Sequence, residues 1–72
     1  MTAPPPRGAC AVDTRDGRVG EVMAQGGAYV QLRPLLGGRE WDCPPDLLRA
    51  ATPDERLSAR LRELNRRSRG DI

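Results

Sequence analysis

The chain has 72 residues, a net charge of +2 and two cysteines, and it contains twelve arginines but no lysine, histidine or phenylalanine. A chain this short forms one small domain whose core supplies about 3–5 kcal/mol of net stability, which leaves little room for a large catalytic cleft. Without histidine, the sequence offers neither a general base that titrates near neutral pH nor the ligands of an ordinary zinc site. Composition therefore favours a binding module over an enzyme, and no cofactor or metal is predicted.

The N-terminal segment is rich in proline, and we expect residues 1–7 to form a disordered arm. No apolar run is long enough for a membrane span or a signal sequence, so we expect a cytoplasmic protein that makes no membrane contact. In that compartment Cys10 and Cys43 are expected to stay reduced and to behave as small apolar groups.

The first forty residues contain three glycine-containing pairs at regular spacing: Asp16-Gly17, Gly26-Gly27 and Gly37-Gly38. Asp-Gly between strand-like segments is a strong hairpin signal, because both central residues of the favoured turn need a positive φ. The regular spacing of the pairs predicts short antiparallel strands in a meander.

The apolar residues of the second segment do not keep a strict period of two. A β-bulge near Gly20 would bend the strand and allow Val19 and Val22 both to face inward.

The third segment, residues 28–33, alternates cleanly. Val30 and Leu32 share one face, and the other face carries Tyr29, Gln31 and Arg33. This pattern predicts a half-buried strand.

In the fourth segment Trp41 and Cys43 share a face, and the tryptophan is interpreted as a core anchor. Pro44-Pro45-Asp46 then predicts a 3₁₀-like turn before a short fifth strand at residues 48–50. Strands this short must cover their edges, which favours a mainly β fold: a closed, five-stranded small barrel over residues 8–52.

The hydrophobic period changes to that of a helix after this point. Thr52 and Glu55 form a capping-box pattern around Pro53, which predicts a C-terminal α-helix over residues 53–68. Three leucines follow at helical spacing and form one narrow stripe: Leu57, Leu61 and Leu64.

The order of strands and turns carries a resemblance to a known fold. The pattern D-x-x-x-G-x-x-G-x-V, followed by G-x-E-W, resembles SH3-like barrels of the KOW and Tudor type through Asp13, Gly17, Gly20, Val22, Gly38, Glu40 and Trp41. The segments GRVGEVM and LRPLLGGREW are also similar to a group of small actinobacterial proteins. The resemblance to KOW and Tudor barrels covers residues 8–52. It implies a protein that binds RNA, components of transcription or translation, or peptides.

Two surfaces are candidates for binding a partner protein. Tyr29 with Gln31 and Arg33 forms an exposed aromatic and cationic contact on the predicted sheet. The leucine stripe has two interpretations: it docks on an open end of the protein's own barrel, which we favour, or it pairs with another protein or a second copy of the chain.

A second hypothesis is contact with nucleic-acid phosphates. Residues 53–72 carry six arginines against four acids, which accounts for the whole net positive charge. Arginine forks suit phosphate oxygens, and the candidates are Arg60, Arg62, Arg66, Arg67 and Arg69. Because acidic residues dilute this charge and only two aromatic residues are present, we rank nucleic acid below a protein partner. The sequence thus predicts a non-enzymatic regulatory or accessory protein.

Overall fold

The computed structural model describes the backbone of residues 5–70 and the side chains of residues 5–66. It contains five β-strands, one 3₁₀ turn and one α-helix: β1 Cys10–Asp13, β2 Arg18–Ala24, β3 Val30–Pro34, β4 Trp41–Cys43, the 3₁₀ turn Pro45–Leu47, β5 Leu48–Ala50 and α1 Pro53–Gly70. The predicted five strands, 3₁₀ turn and single C-terminal helix are confirmed.

All five strands belong to one antiparallel sheet in the order β4-β3-β2-β1-β5. Over the described residues, β4 and β5 are the two edges and no strand pairing joins them. The structure therefore confirms a mainly β fold with one helix, and it does not confirm that the sheet closes into a barrel.

One face of the sheet holds the core. Val30 and Leu32 are 2% and 0% exposed, whereas Gln31 between them is exposed, so the predicted alternation of the third strand is confirmed. Trp41 is half-buried and packs against the core cluster, which comprises Ala11, Val22, Val30, Leu32, Cys43 and Leu48.

The predicted bulge near Gly20 is wrong in its position. The pairing of β2 with β1 runs without interruption through Val19 and Gly20, and the register of β2 with β3 shifts between Val22 and Ala24 instead. Regular alternation therefore turns Gly20 and Val22 inward, while Val19 is half-buried on the opposite face.

Gly20 is a close-approach position. A Cβ atom added there would lie 2.6 Å from Cη2 of Trp41 and 2.8 Å from the backbone oxygen of Arg33. Both distances are far below van der Waals contact, so the missing side chain is what lets the indole lie against the sheet.

The first hairpin also differs from the predicted turn. Residues 14–17 form the connection between β1 and β2. Gly17 is the one residue of this connection with a positive φ (80°), because among the described residues only glycines have a positive φ. The N–H of Gly17 donates to the carbonyl of Asp13 (2.8 Å), and the N–H of Arg18 donates to the Asp16 carboxylate (3.1 Å). These bonds allow a longer loop in which one residue, rather than two, is left-handed.

A charged network links β1 to β4, although β2 and β3 lie between them in the sheet. The Asp13 carboxylate is 1% exposed and accepts from the Arg15 guanidinium (Nε 3.0 Å, Nη2 2.8 Å), from the Arg15 backbone N–H (3.0 Å) and from Nε1 of Trp41 (3.0 Å). Nη2 of Arg15 also donates to the Asp42 carbonyl (2.8 Å). The guanidinium bonds hold the pKa of Asp13 well below its usual range, against the opposing effect of burial.

The two cysteines are free in the structure. Cys43 is completely buried, and this burial raises the pKa of its thiol. Cys10 is half-buried.

The segment before β1 is hydrogen-bonded to β2: the N–H of Gly8 donates to the Val22 carbonyl (2.8 Å), and the Ala9 carbonyl accepts from the N–H of Val22 (2.9 Å). The Pro5 ring is buried, and its carbonyl accepts a hydrogen bond from Nε2 of Gln25 (2.7 Å). Residues 1–4 of the expected disordered arm lie outside the described residues.

The helix begins with the predicted capping box. The N–H of Glu55 donates to the Thr52 hydroxyl (3.1 Å), and the N–H of Thr52 donates to the Glu55 carboxylate (2.9 Å). The same carboxylate pairs with Arg49 of β5 (2.8 Å to Nη1), which is the main cause of a pKa of about 2 for Glu55. These contacts join the helix start to the end of the sheet.

Thr52→Ala is expected to lower the free energy of unfolding by about 1 kcal/mol, because the N–H of Glu55 loses its acceptor. For a domain of this size the melting temperature should fall by roughly 4–8 °C. Thermal denaturation followed by circular dichroism measures the change. Thr52→Ser keeps the hydroxyl and should melt close to the wild type, and equal losses in the two variants would contradict a capping role.

Candidate functional site

The leucine stripe of α1 lies on the surface. Leu57, Leu61 and Leu64 are 56%, 51% and 44% exposed. The favoured prediction, that this stripe docks on an open end of the protein's own barrel, is therefore wrong. We call these three side chains the leucine face.

The helix docks through a different ridge. Ala59 is 7% exposed, and one turn later the Glu63 carboxylate accepts hydrogen bonds from the backbone N–H groups of Leu35 (3.1 Å) and Leu36 (3.0 Å) in the loop after β3. Residues four apart lie on the same side of a helix, so the small alanine and the carboxylate meet the body of the protein together. This ridge leaves the leucine face exposed.

Beside the docked ridge lies an apolar groove of about 400 Å³, between the start of α1 and the strands β1 and β5. Arg56 and Arg60 of α1 line one side of this groove, and neither forms an ion pair with a described residue. The groove is lined by Ala9, Cys10, Ala50, Ala51, Thr52, Pro53, Arg56, Leu57 and Arg60. Leu57 belongs both to this lining and to the leucine face, so the two form one continuous surface.

On the other side of the ridge lies a second cleft of about 390 Å³, which we call the arginine cleft. It is formed by the start of β2, the loop between β3 and β4, and the second half of α1. Four arginines from these three elements line it: Arg18, Arg39, Arg62 and Arg66.

The charge of the arginine cleft is unbalanced. Glu63 is the one acidic residue in its lining, and both of its carboxylate oxygens already accept the backbone bonds of the docking loop. None of the four arginines forms an ion pair with any residue whose side chain the structure describes.

Arg18 is held in place by an aromatic ring. Its guanidinium carbon lies 3.8 Å from the centroid of the Trp41 ring, a cation–π contact. A guanidinium carries its N–H donors in its own plane, so stacking on a ring restricts its motion without using those donors.

The structure separates the predicted phosphate-binding arginines. Arg62 and Arg66 line the arginine cleft, whereas Arg60 lines the apolar groove on the other side of the docked ridge. The side chains of Arg67 and Arg69 lie outside the described residues. Sequence reasoning missed Arg18 and Arg39, which lie far from α1 in the chain and carry no spacing signal.

The predicted contact on the sheet is also at the surface. Tyr29 is 56% exposed and lies one residue before β3, Gln31 is exposed, and Arg33 is half-buried. These three residues line neither the apolar groove nor the arginine cleft. Their binding role stays a prediction.

Within residues 5–70, no cluster of three or more histidine, cysteine or acidic side chains suited to a metal ion is found. No helix in that part of the chain is long and apolar enough to cross a membrane.

No protein-family profile matches this chain, no curated protein matches its sequence, and no solved structure matches its fold.

Proposed function

We propose that this protein is a non-catalytic, cytoplasmic binding module that docks an acidic, amphipathic helix of another protein. The docking surface is the leucine face together with the apolar groove. The observation that carries the proposal is the exposure of three leucines on a helix whose opposite side is already docked. Burying an exposed leucine contributes on the order of 1–2 kcal/mol, so a partner that covers the stripe gains substantial binding energy.

The chemistry of the surface defines the partner. Leucines at helical spacing fit the apolar stripe of a partner helix. The apolar groove is large enough to receive apolar side chains of that partner helix. Arg56 and Arg60 run beside the leucines without a described ion-pair partner, so acidic residues flanking the partner's stripe are favoured. A second copy of this chain fits less well, because pairing two such faces brings their arginines together.

An SH3-like barrel of the KOW or Tudor type remains our proposal for the fold. It is supported by the hydrogen bond from Trp41 of β4 to Asp13 of β1, because two strands separate β4 from β1 and a flat sheet would hold them about 14 Å apart. The nucleic-acid alternative is less well supported, because the described arginines of α1 lie on two sides of the docked ridge rather than in one stripe.

Leu61→Asp is expected to weaken partner binding at least about tenfold, because it places a charge in the centre of an apolar contact. Its free energy of unfolding should change by less than about 1 kcal/mol, since Leu61 is 51% exposed. Proteins retained from a native lysate by immobilised wild-type protein are purified, and their affinities for both forms are measured by calorimetry.

Leu47→Asp is the matched control, because Leu47 is also exposed (39%) but belongs to the 3₁₀ turn. Support requires a purified partner that binds through an acidic helical segment, tolerates Leu47→Asp and is lost with Leu61→Asp. Equal binding to all three forms would rule out the leucine face. Light scattering should show a monomer, and a dimer that Leu61→Asp dissociates would identify a second copy as the occupant and overturn the proposal.

A further inference from the structure

We propose that the arginine cleft binds a compact polyphosphate group, such as the phosphate chain of a nucleoside triphosphate. This inference is independent of the docking surface, because the cleft lies on the other side of the docked ridge and uses different arginines. Four arginines from three separate elements line one cavity of about 390 Å³. This volume lies in the range of small-ligand sites.

The charge balance points to an anion with several adjacent charges. The four positive charges that share the arginine cleft repel one another. Among the described lining residues, Glu63 is the one negative charge that could offset them, and none of the four arginines forms an ion pair with a described side chain. That carboxylate is fixed on the Leu35 and Leu36 N–H groups, so it holds the helix in place without pairing with an arginine. A ligand with three or four negative charges matches this surplus better than a single phosphate does.

The geometry favours a compact ligand over an extended backbone. Arg62 and Arg66 lie one turn apart on α1, while Arg18 and Arg39 come from the β2 start and the β3–β4 loop. Arginines from three elements around one cavity suit a short chain of phosphates, whereas a nucleic-acid backbone contacts a row of donors along one surface. The stacking of Arg18 on Trp41 holds one donor in place before the ligand arrives.

The test is a titration of the purified full-length protein with inorganic triphosphate, ATP, adenosine, orthophosphate and a short DNA duplex at low and moderate salt. Trp41 is the only tryptophan, so its fluorescence reports directly on the ring beneath Arg18. Calorimetry provides an independent affinity. We expect triphosphate to bind at least about tenfold more tightly than orthophosphate, and adenosine not to bind.

Two double variants provide the matched comparison. Arg62→Ala/Arg66→Ala removes the helix side of the arginine cleft, and Arg56→Ala/Arg60→Ala removes the same charge at the same spacing beside the apolar groove. The first should weaken triphosphate binding by about tenfold or more, and the second by less than about twofold. All four side chains are exposed, and circular dichroism checks that both variants are folded.

Each result decides a specific point. Equal affinities for ATP and triphosphate support recognition of the phosphate chain alone, and tighter binding of ATP supports a nucleotide site. Equal weakening by the two double variants would overturn the proposal in favour of nonspecific attraction. No triphosphate binding at low salt would overturn it as well, and so would binding of the duplex in the absence of triphosphate binding.

Discussion

Gly20→Ala is expected to lower the free energy of unfolding by about 3 kcal/mol. The added methyl group would lie 2.6 Å from Cη2 of Trp41 and 2.8 Å from the Arg33 carbonyl oxygen. The oxygen belongs to the backbone of β3, which is paired with β2, so it cannot retreat without disturbing the pairing. The indole cannot retreat easily either, because its N–H is bonded to Asp13.

A loss of this size is close to the whole stability expected of so small a domain, so a substantial unfolded fraction should be present at 25 °C. Denaturation by urea, followed through Trp41 fluorescence, measures the change. Gly27→Ala is the matched control, since a Cβ there meets no atom within 4 Å and the residue does not have a positive φ. Similar unfolding curves for Gly20→Ala and the wild type would contradict the close approach of the indole.

Asp13→Asn is expected to lower the free energy of unfolding by about 2–3 kcal/mol. Asparagine has the same shape as aspartate but no charge to face the Arg15 guanidinium. Its N–H₂ group cannot accept hydrogen bonds, so some of the donors from Arg15 and Trp41 lose their acceptor. The cost is less than that of a fully buried pair, because the Arg15 side chain is 45% exposed and water can solvate it after the change.

This network predicts the acid sensitivity of the fold. Because the folded-state pKa of Asp13 is lowered, its stabilising contribution is present above the unfolded pKa of about 4 and is lost as the pH falls further. Stability should therefore vary little with Asp13 ionisation between pH 5 and 8 and should decrease below about pH 4.

Urea denaturation at several pH values tests both points. The decrease below pH 4 should be smaller in Asp13→Asn than in the wild type, and a double-mutant cycle with Arg15→Ala should show coupling between the two side chains. Asp42→Asn is the control, because Asp42 is exposed and contributes its carbonyl, not its side chain, to the network. An unchanged acid transition in Asp13→Asn would show that this carboxylate is not responsible.

Much of the fold could be predicted because its signals are local. The capping box around Thr52 and Glu55 depends on neighbouring residues, and the structure shows both of its hydrogen bonds. The alternation of Val30 and Leu32 follows from the period of a strand and is equally direct. Such patterns do not require knowledge of which elements meet.

The errors arose where distant parts of the chain meet. The spacing of Val19 and Val22 predicts a bulge at Gly20, whereas Gly20 in fact faces the Trp41 ring, which comes from two strands later in the chain. Asp13 appears in the sequence only as the first residue of the D-x-x-x-G pattern, because its bond to Trp41 spans 28 residues. A sequence pattern identifies a glycine or an aspartate as unusual, but it does not identify the group that approaches it.

The docking of α1 was mispredicted because periodicity identifies the apolar side of a helix and not the side that is covered. The docked ridge consists of a small residue, Ala59, and a carboxylate, Glu63, that accepts two backbone N–H bonds. Both allow close contact without an apolar stripe. One signal was present: Glu63 is the only acid among the five arginines between Arg60 and Arg69.

The most direct test of this account is the orientation of α1, measured by nuclear Overhauser effects between methyl groups in the free protein. We predict cross-peaks from the Ala59 methyl group to residues of the β-sheet, together with protected amides at Leu35 and Leu36 that exchange faster in Glu63→Ala. The Leu61 and Leu64 methyl groups should show no cross-peaks to any strand. Cross-peaks from these two leucines to the sheet, with an exposed Ala59, would contradict the proposed binding surface.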